Sequence, residues 1–337
     1  MSVKNGINGW AGSVLRVNLT TGAITTEDTL PKYKPYIGGM GLGYKVIWDE
    51  VPLDTDPLGP DAKVVFAVGP LTASGVPCSG RMNVSCLSCW SKGDSIVDAH
   101  MGGHIAHAFK YAGYDALIVE GQSDKPVYIK IDDEKVTIED ASEVWGKGTF
   151  ETNATLTKAN GDEFDVASIG QAGENLVPMS CMVTSFGNSG GGGIGAVLGS
   201  KKVKALVVRG TGAVKIARPL EVKLLSNYMI KDLVGGNNNH NVPTVPQTWA
   251  EYSATTKNRW QGAPGVTWDK APNGPIDMGE QPSGVINVAA LRCNKGVFDF
   301  GEIAEKYTVK QGGCSSCPVR CYTEYDMDPL ADYDLPT

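Results

Sequence analysis

The sequence predicts an α+β fold, and three observations support this prediction. Short β-branched runs alternate with a few helical runs from the N-terminus to about residue 210. Hairpin turns occur together with helical runs that can serve as crossover connections, so at least one sheet is expected to be mostly antiparallel. After Val214 the pattern changes to one helical run followed by loop-rich sequence, which predicts the start of a second domain.

In the first part of the chain, strands are predicted where β-branched and aromatic residues cluster between turn residues. The first two, residues 14–19 and 23–26, flank the turn Thr20-Thr21-Gly22. Further strands are predicted at residues 63–68, 81–87, 115–120, 127–131, 135–138, 165–169 and 203–209. Helices are predicted at residues 42–50, 105–112 and 150–159.

The second part of the chain is predicted to be mainly helical. Residues 220–233 form one predicted helix, residues 235–281 are rich in Asn, Gly, Pro and Trp and predict loops with short helices, and residues 301–307 predict another helix. The last residues carry no stop signal for any element. We therefore expect a first domain at 1–212 and, at 213–337, the beginning of a helical domain in a truncated chain.

Composition excludes several classes of protein. The net charge is −7 and the isoelectric point about 5.2, so no basic stripe is available for nucleic acid or an anionic membrane. The sequence has no run of 18 apolar residues and no signal-peptide pattern, which predicts a cytoplasmic protein without membrane insertion. Its 8 cysteines are unevenly placed, which favours reduced thiols over a disulfide framework.

The most informative residues are Cys314, Cys317 and Cys321, which lie in one glycine-flanked run. Three thiolates this close can chelate one metal centre, and the spacing C-x2-C-x3-C resembles iron-sulfur ligand runs more than the paired motifs of zinc sites. The run itself contains no fourth ligand. Cys293 is the one upstream cysteine within reach of it. An iron-sulfur cluster is favoured, while zinc and packed or paired cysteines remain alternatives.

The 42 glycines are concentrated in runs that predict tight backbone sites. The runs lie at residues 38–43, 79–81, 102–104 and 187–195. Successive N–H groups in such runs can bind a phosphate, and Arg81 could add a charge-assisted contact, but tight turns and close packing are the alternative for any single run. Neither long run fits a P-loop, and no strand directly precedes Gly38 as a dinucleotide fold requires.

Three histidines and two further cysteines complete the candidate ligands. His100, His104 and His107 would share one face of a helix, but Gly102-Gly103 interrupts it, so packing or cofactor contact is favoured over zinc. Cys86 and Cys89 would point to opposite faces of a strand, which favours packed thiols.

Several stretches together resemble one family. The strongest is Lys110-Tyr111-Ala112-Gly113-Tyr114-Asp115-Ala116, and the others lie at residues 12–24, 69–72, 79–84, 141–146, 168–177, 195–201 and 312–321. With these residues the chain resembles the N-terminal part of the aldehyde:ferredoxin oxidoreductases, which are tungsten or molybdenum bis-pyranopterin enzymes. The resemblance implies that the first domain is a β-sheet base under two pyranopterins and that helical domains follow.

The resemblance also implies site residues. Cys314, Cys317 and Cys321 correspond to three of the four ligands of a 4Fe-4S cluster, and Arg81 to an arginine at the cofactor phosphates. The remaining cofactor positions are His100, Gly102, Gly103, Gly187, Asn188 and Gly190. This sequence has His100-Met101-Gly102-Gly103 where the family pattern is Asn-Ser-Gly-Gly, and Gly187 and Gly191 where the pattern has arginines. These departures affect the expected phosphate and magnesium contacts.

The activity that the resemblance implies is oxidation of an aldehyde to a carboxylic acid, with electrons passing through the cluster to ferredoxin. The fourth cluster cysteine and the catalytic residues are expected beyond Thr337, so residues 1–337 alone are expected to be inactive. The resemblance also allows a homodimer. Two alternatives are a zinc-stabilised module, with Cys293 as the fourth thiolate, and a non-catalytic electron-transfer or scaffold protein.

Overall fold

The computed structural model of this protein describes residues 7–90, 95–234, 308–317 and 322–325. The chain divides into two compact units, Met1–Lys223 with Cys314–Ser316, and Leu224–Gly313 with Cys317–Thr337. The first unit has the predicted α+β fold. The domain boundary expected at residue 212 stays a prediction.

The first sheet has the strand order β2-β1-β6-β3-β4-β5. Its strands are β1 (Ser13–Asn18), β2 (Ile24–Asp28), β3 (Val64–Ala67), β4 (Met82–Leu87), β5 (Ile96–Met101) and β6 (Ala116–Glu120). Strands β1 and β6 run parallel, and the other neighbours run antiparallel. The sheet is therefore mostly antiparallel, as predicted, and β5 forms one edge.

The second sheet has the strand order β11-β10-β9-β12-β7-β8. Its strands are β7 (Val127–Asp132), β8 (Lys135–Asp140), β9 (Asp165–Ile169), β10 (Met182–Thr184), β11 (Ser189–Gly190) and β12 (Val203–Arg209). Strands β7 and β12 run parallel, and the other pairs are antiparallel. Strand β11 is an edge of this sheet, and it contacts β5 of the first sheet.

Helices cover both sheets and separate them in part. They are α1 (Thr29–Tyr33), α2 (Gly39–Glu50), α3 (Ile105–Tyr111), α4 (Thr149–Asn160), α5 (Gln171–Glu174), α6 (Ile194–Ser200) and α7 (Pro219–Val234). Helix α2 packs on one face of the first sheet, and α4 packs on the outer face of the second. Helices α3 and α6 bury apolar side chains in the main core with residues of both sheets.

Alternation of side chains along the strands explains these layers. In β3, Phe66 points into the main core, whereas Val65 and Ala67 point to the face covered by α2. In β12, Leu206 packs in the main core and Val207 packs on the α4 side. Strands buried on both faces, such as β3 and β6, are therefore short runs of mainly apolar residues, which is why the sequence predicts them well.

A buried ion pair fixes α3 to the first sheet. Lys110 at the end of α3 lies 2.5 Å from Asp115, and neither side chain is exposed. The Asp115 carboxylate also accepts hydrogen bonds from the Ala11 and Gly12 backbone N–H groups, at 2.9 and 2.8 Å, and from the Thr29 hydroxyl at 2.8 Å. Burial of this charge is possible because its oxygens are paired by these donors.

All nine predicted strands of the first part are present, with small shifts at their ends, and the three predicted helices correspond to α2, α3 and α4. Predicted helix 220–233 corresponds to α7. Among the described residues, the sequence analysis missed helices α1, α5 and α6 and strands β5, β10 and β11, as well as two strands near the cysteine run. Helix α6 was not predicted because its glycines are unfavourable in a helix. Gly199 is required there because a Cβ at this position would lie 2.0 Å from the Gly173 carbonyl oxygen.

In the second unit, β13 (Thr308–Gly312) and β14 (Tyr322–Tyr325) form an antiparallel pair on either side of the cysteine run in sequence. The loops predicted at 235–281 and the helix predicted at 301–307 lie outside the described residues. Among the helices of the described ranges, none combines the length and the apolar character that a membrane span needs.

Candidate functional site

The candidate site lies where the edge strands of the two sheets meet, at the end of β5. Pairing of β4 with β5 sets Asn83 opposite His100 and Met82 opposite Met101. Arg81, just before β4, donates a hydrogen bond of 2.9 Å from Nη1 to the His100 carbonyl oxygen. A Cβ on Gly190 of β11 would lie 2.9 Å from Met101 Cγ, so this glycine permits the close approach of the two edges.

Gly102 and Gly103 follow β5 and form, with Gly190 and Asn188, what we call the glycine surface. A Cβ on Gly102 would lie 2.6 Å from Asn188 Oδ1 and 2.7 Å from Cys314 Sγ. Gly103 has a φ of +89°, a backbone conformation that favours glycine. The predicted positions at 102, 103, 188 and 190 are thus brought together, and Cys314 joins them.

Residues Cys314–Ser316, the cysteine turn, are held on the glycine surface by backbone contacts. The Ser315 N–H donates to the Gly103 carbonyl oxygen at 3.1 Å, and the Cys78 N–H donates to the Ser316 carbonyl oxygen at 3.0 Å. A Cβ on Gly80 would lie 2.6 Å from the Ser315 carbonyl oxygen. The turn therefore fits against three glycines, Gly80, Gly102 and Gly103, which come from two of the predicted runs.

The three histidines do not share a helix face, in agreement with the interruption expected at Gly102-Gly103. His100 lies in β5, and its Nε2 is 3.0 Å from Asp98 Oδ2. His104 directly precedes α3 and places Nδ1 2.7 Å from Ser315 Oγ. His107 in α3 places Nε2 3.2 Å from Ser316 Oγ. The two serines were missed as site residues, because no local sequence pattern connects them to histidines so distant in the chain.

A hydrogen-bond network of Asp98, Tyr44 and Asn83 orients the His100 ring. The Tyr44 hydroxyl donates to Asp98 Oδ1 at 2.7 Å, and Asn83 Nδ2 donates to Asp98 Oδ2 at 3.2 Å. Burial and the hydrogen bond to Asp98 raise the pKa of Tyr44 to about 12. Asp98 thus has hydrogen-bond donors on both oxygens, which fixes the carboxylate that binds His100.

Arg81 differs from the other described arginines in its partners. Arg16 pairs with Glu27 and Glu50, Arg209 with Asp132, and Arg218 with Glu221. Within the described ranges, Arg81 has no carboxylate within ion-pair distance, and its side chain is exposed. A guanidinium without an acidic partner beside glycine-rich backbone is suited to binding an anion.

Residues 14–210 match the family described as aldehyde ferredoxin oxidoreductase, N-terminal domain. This chain belongs to that family. The tungsten-containing aldehyde ferredoxin oxidoreductase of Pyrococcus furiosus is 35% identical over 317 residues, which cover 92% of this chain and 48% of that protein. The enzyme of the same name from Thermococcus kodakarensis is 41% identical over 225 residues, covering 66% of this chain and 37% of that protein.

Two further relatives of the family carry other names. The aliphatic sulfonate oxidoreductase, WOR-like subunit, of Pyrococcus furiosus is 32% identical over 222 residues, covering 60% of this chain and 34% of that protein. The solved active-site complex BamBC of benzoyl coenzyme A reductase with 1,5-dienoyl-CoA has a TM-score of 0.76 and 31% identity, covering 98% of this chain and 48% of that chain. The chain spans at most about half the length of these relatives. They establish an oxidoreductase family and its α+β fold.

The predicted metal ligands of this family member lie partly outside the described residues. Cys314 and Cys317 are both half-buried, whereas Cys321 and the alternative ligand Cys293 fall in parts that the structure does not describe. Among the described side chains, no group of three or more His, Cys, Asp or Glu residues is arranged to hold a metal ion. The three-cysteine ligand set stays a prediction.

The remaining cysteine prediction concerns Cys86 and Cys89. Cys86 is buried in β4, and burial raises the pKa of its thiol. Cys89 Sγ lies 3.7 Å from the Pro178 carbonyl oxygen and 3.8 Å from that of Gly193. Cys89 lies beyond the end of β4, so the two thiols do not share a strand, contrary to the expectation, but both are packed in the protein as predicted.

Proposed function

We propose that this chain supplies the pyranopterin-binding base and the first cluster ligands of a tungsten or molybdenum oxidoreductase. One observation carries the proposal: Cys314 Sγ and Asn188 Oδ1 both lie against Gly102, at the end of the strand that also positions Arg81. A predicted cluster ligand and predicted cofactor-binding residues therefore meet in one place, although they are far apart in sequence.

The residues present fit such cofactors. Arg81 would bind anionic groups of the pterin cofactor, and the Gly102-Gly103 backbone would allow close approach, because no side chain intervenes. A Cβ on Gly191 would meet nothing within 4 Å, so there is open space where the family pattern has an arginine. His100, Gly187, Asn188 and Gly190 are proposed to line the same base, and a magnesium ion at the phosphates is part of the proposal.

Cys314, Cys317 and Cys321 would hold a 4Fe-4S cluster as thiolates. When bound, the metal–pterin group supplies two-electron chemistry and the cluster supplies one-electron transfer. The protein's own contribution is positional: Asp98 orients His100, Arg81 is held by the His100 carbonyl oxygen, and the glycines keep side chains out of the interface.

For the whole protein we propose oxidation of an aldehyde to a carboxylic acid with ferredoxin as the electron acceptor. The names of the tungsten-containing relatives support this choice. Family membership also favours an oxidoreductase over a zinc-stabilised module or a non-catalytic scaffold. Nucleic acid is not proposed as a partner, because a net charge of −7 disfavours binding to its phosphates.

Metal and pterin analysis tests the proposal. The protein is purified under anaerobic conditions, and iron, sulfide, tungsten and molybdenum are measured with the visible spectrum and the pterin fluorescence after oxidation. We expect a coloured protein with iron, sulfide, pterin, and tungsten or molybdenum, and aldehyde-dependent reduction of a viologen dye by the complete enzyme. A colourless protein that contains zinc and no pterin would contradict the proposal.

The ligand assignment has its own test. Residues 1–337 supply three predicted thiolates, so after anaerobic reconstitution they should bind a cluster weakly and show no aldehyde oxidation. Cys317→Ser should abolish the weak cluster absorbance, and Cys293→Ser should preserve it. A stable four-iron cluster that depends on Cys293 would instead show that the fourth ligand lies within this chain.

A further inference from the structure

Two histidines and two serines connect the start of α3 to the cysteine turn. His104 Nδ1 lies 2.7 Å from Ser315 Oγ, and His107 Nε2 lies 3.2 Å from Ser316 Oγ. Residues three apart at a helix are neighbours on its surface, so adjacent serines can meet both rings at once. The two contacts flank the backbone bond from the Ser315 N–H to Gly103.

Aromatic neighbours hold both rings in place. The His104 ring packs edge-on against Phe186, with a centroid distance of 4.8 Å, and the His107 ring packs edge-on against Tyr111 at 6.2 Å. His107 is buried, and its Nδ1 atom has no hydrogen-bond partner among the described residues. The bond to Ser316 is therefore the polar contact that compensates for burial of this ring.

The backbone of the cysteine turn needs these contacts. Ser316 has a φ of +58°, and Cys78, whose N–H binds the Ser316 carbonyl oxygen, has a φ of +60°. Left-handed backbone is unfavourable for residues other than glycine and persists where surrounding contacts determine it. The side-chain bonds to His104 and His107 are contacts of that kind.

We propose that His104 and His107 are positioning residues that hold Ser315 and Ser316, and through them Cys314, on the glycine surface. Residues behind a metal ligand commonly fix its orientation and so tune the centre. If the proposed function holds, on which this consequence rests, the two histidines set the place of a cluster ligand beside the pterin base. They themselves touch neither the metal nor the substrate.

Hydrogen exchange of the full chain, purified without added iron, tests this role directly. His104→Leu or His107→Leu should speed exchange of the Ser315 N–H by about 5-fold, and the double variant by about 30-fold, because each lost bond favours the open turn. Ser315→Ala with Ser316→Ala should reproduce the double histidine variant. Exchange in strand β8, at the opposite edge of the second sheet from β11, should stay unchanged.

Conservative variants separate positioning from general packing. An Asn amide can take the position of a histidine Nδ1, and a Gln amide can take that of Nε2. In His104→Asn and His107→Gln the exchange rate of the Ser315 N–H should therefore stay within about twofold of that in the parent protein. Ser123→Ala is the matched control, since Ser123 Oγ bonds to the Lys125 carbonyl oxygen in an exposed turn and does not contact the cysteine turn. It should leave Ser315 exchange unchanged.

The outcomes distinguish this inference from the proposed function. Unchanged Ser315 exchange in both the double histidine and the double serine variants would overturn the inference, as would fast exchange in the Asn and Gln variants. Iron and pterin are measured separately on the protein from anaerobic preparations. Histidine-dependent protection in a protein that never contains iron or pterin would retain the positioning role and refute the proposed function.

Discussion

Substitution of Gly102 by alanine should displace Cys314. The added Cβ would lie 2.7 Å from Cys314 Sγ and 2.6 Å from Asn188 Oδ1. Gly102 is not among the residues with positive φ, so alanine can adopt its backbone conformation. The substitution therefore tests close packing in the site without adding backbone strain.

The size of the effect follows from the overlap. Favourable contacts between heavy atoms lie near 3.5–4.0 Å, so both Asn188 and Cys314 must move by roughly 1 Å. Asn188 can rotate its amide, but Cys314 is fixed by the bond from Ser315 to Gly103. Overpacking of this kind costs about 1–3 kcal/mol, which corresponds to an opening of the turn that is about 5- to 150-fold more frequent.

The assay is alkylation of Cys314 in the iron-free chain, followed by mass spectrometry of the peptide that contains it. Gly191→Ala is the matched control, because a Cβ there meets nothing within 4 Å and the backbone φ is not positive. Gly102→Ala should speed alkylation, and Gly191→Ala should not. Equal rates in Gly102→Ala and the parent protein would refute the packing of Cys314 on the glycine surface.

Three further predictions concern charged residues. Asp115→Asn should lower the free energy of unfolding by about 3–5 kcal/mol in urea titrations, because it leaves the Lys110 ammonium buried without its charge partner. Burial acts to raise the pKa of Glu50, but hydrogen bonds from Arg16 and two lysines hold it below its usual range. The ionised Glu50 therefore stabilises the folded protein above about pH 4.5, and this stabilisation is lost as the pH falls. Glu50→Gln should lower the free energy of unfolding by about 1–2 kcal/mol at pH 7, and the variant should lose less stability than the parent protein on acidification. Arg81→Ala should reduce the content of pterin, tungsten and molybdenum in the complete enzyme, because a charge-assisted hydrogen bond contributes about 1.5–3 kcal/mol to binding. The unfolding midpoint of the variant should stay unchanged. Full cofactor content in the variant would contradict an anion-binding role for Arg81.

Much of the fold could be predicted because its strands are buried. Strand β12, Val203–Arg209, carries three valines and is buried over most of its length, since both faces pack against other layers. Strand β5 could not be predicted in the same way, because Asp98 and His100 interrupt its apolar pattern. Those residues are polar because they belong to the network at the candidate site, so the failure of the pattern coincides with the site.

The candidate site was predictable in its parts but not in its assembly. Glycine runs and the cysteine spacing indicated where backbone and thiols could bind a ligand. The pairing of His104 with Ser315 left no local signal, because it depends on the fold and not on spacing. The sequence likewise gave no indication that Arg81 would be held by the carbonyl oxygen of a strand neighbour.

The contact between His104 and Ser315 joins residues that are 211 positions apart. At a synthesis rate of about 5–20 residues per second, the ribosome needs roughly 10–40 s to reach Ser315 after it has made His104. The elements from α3 to β12 are all made in that interval, after β1 to β5 have been made. During synthesis Gly102 and Gly103 therefore stay uncovered by the cysteine turn throughout that interval.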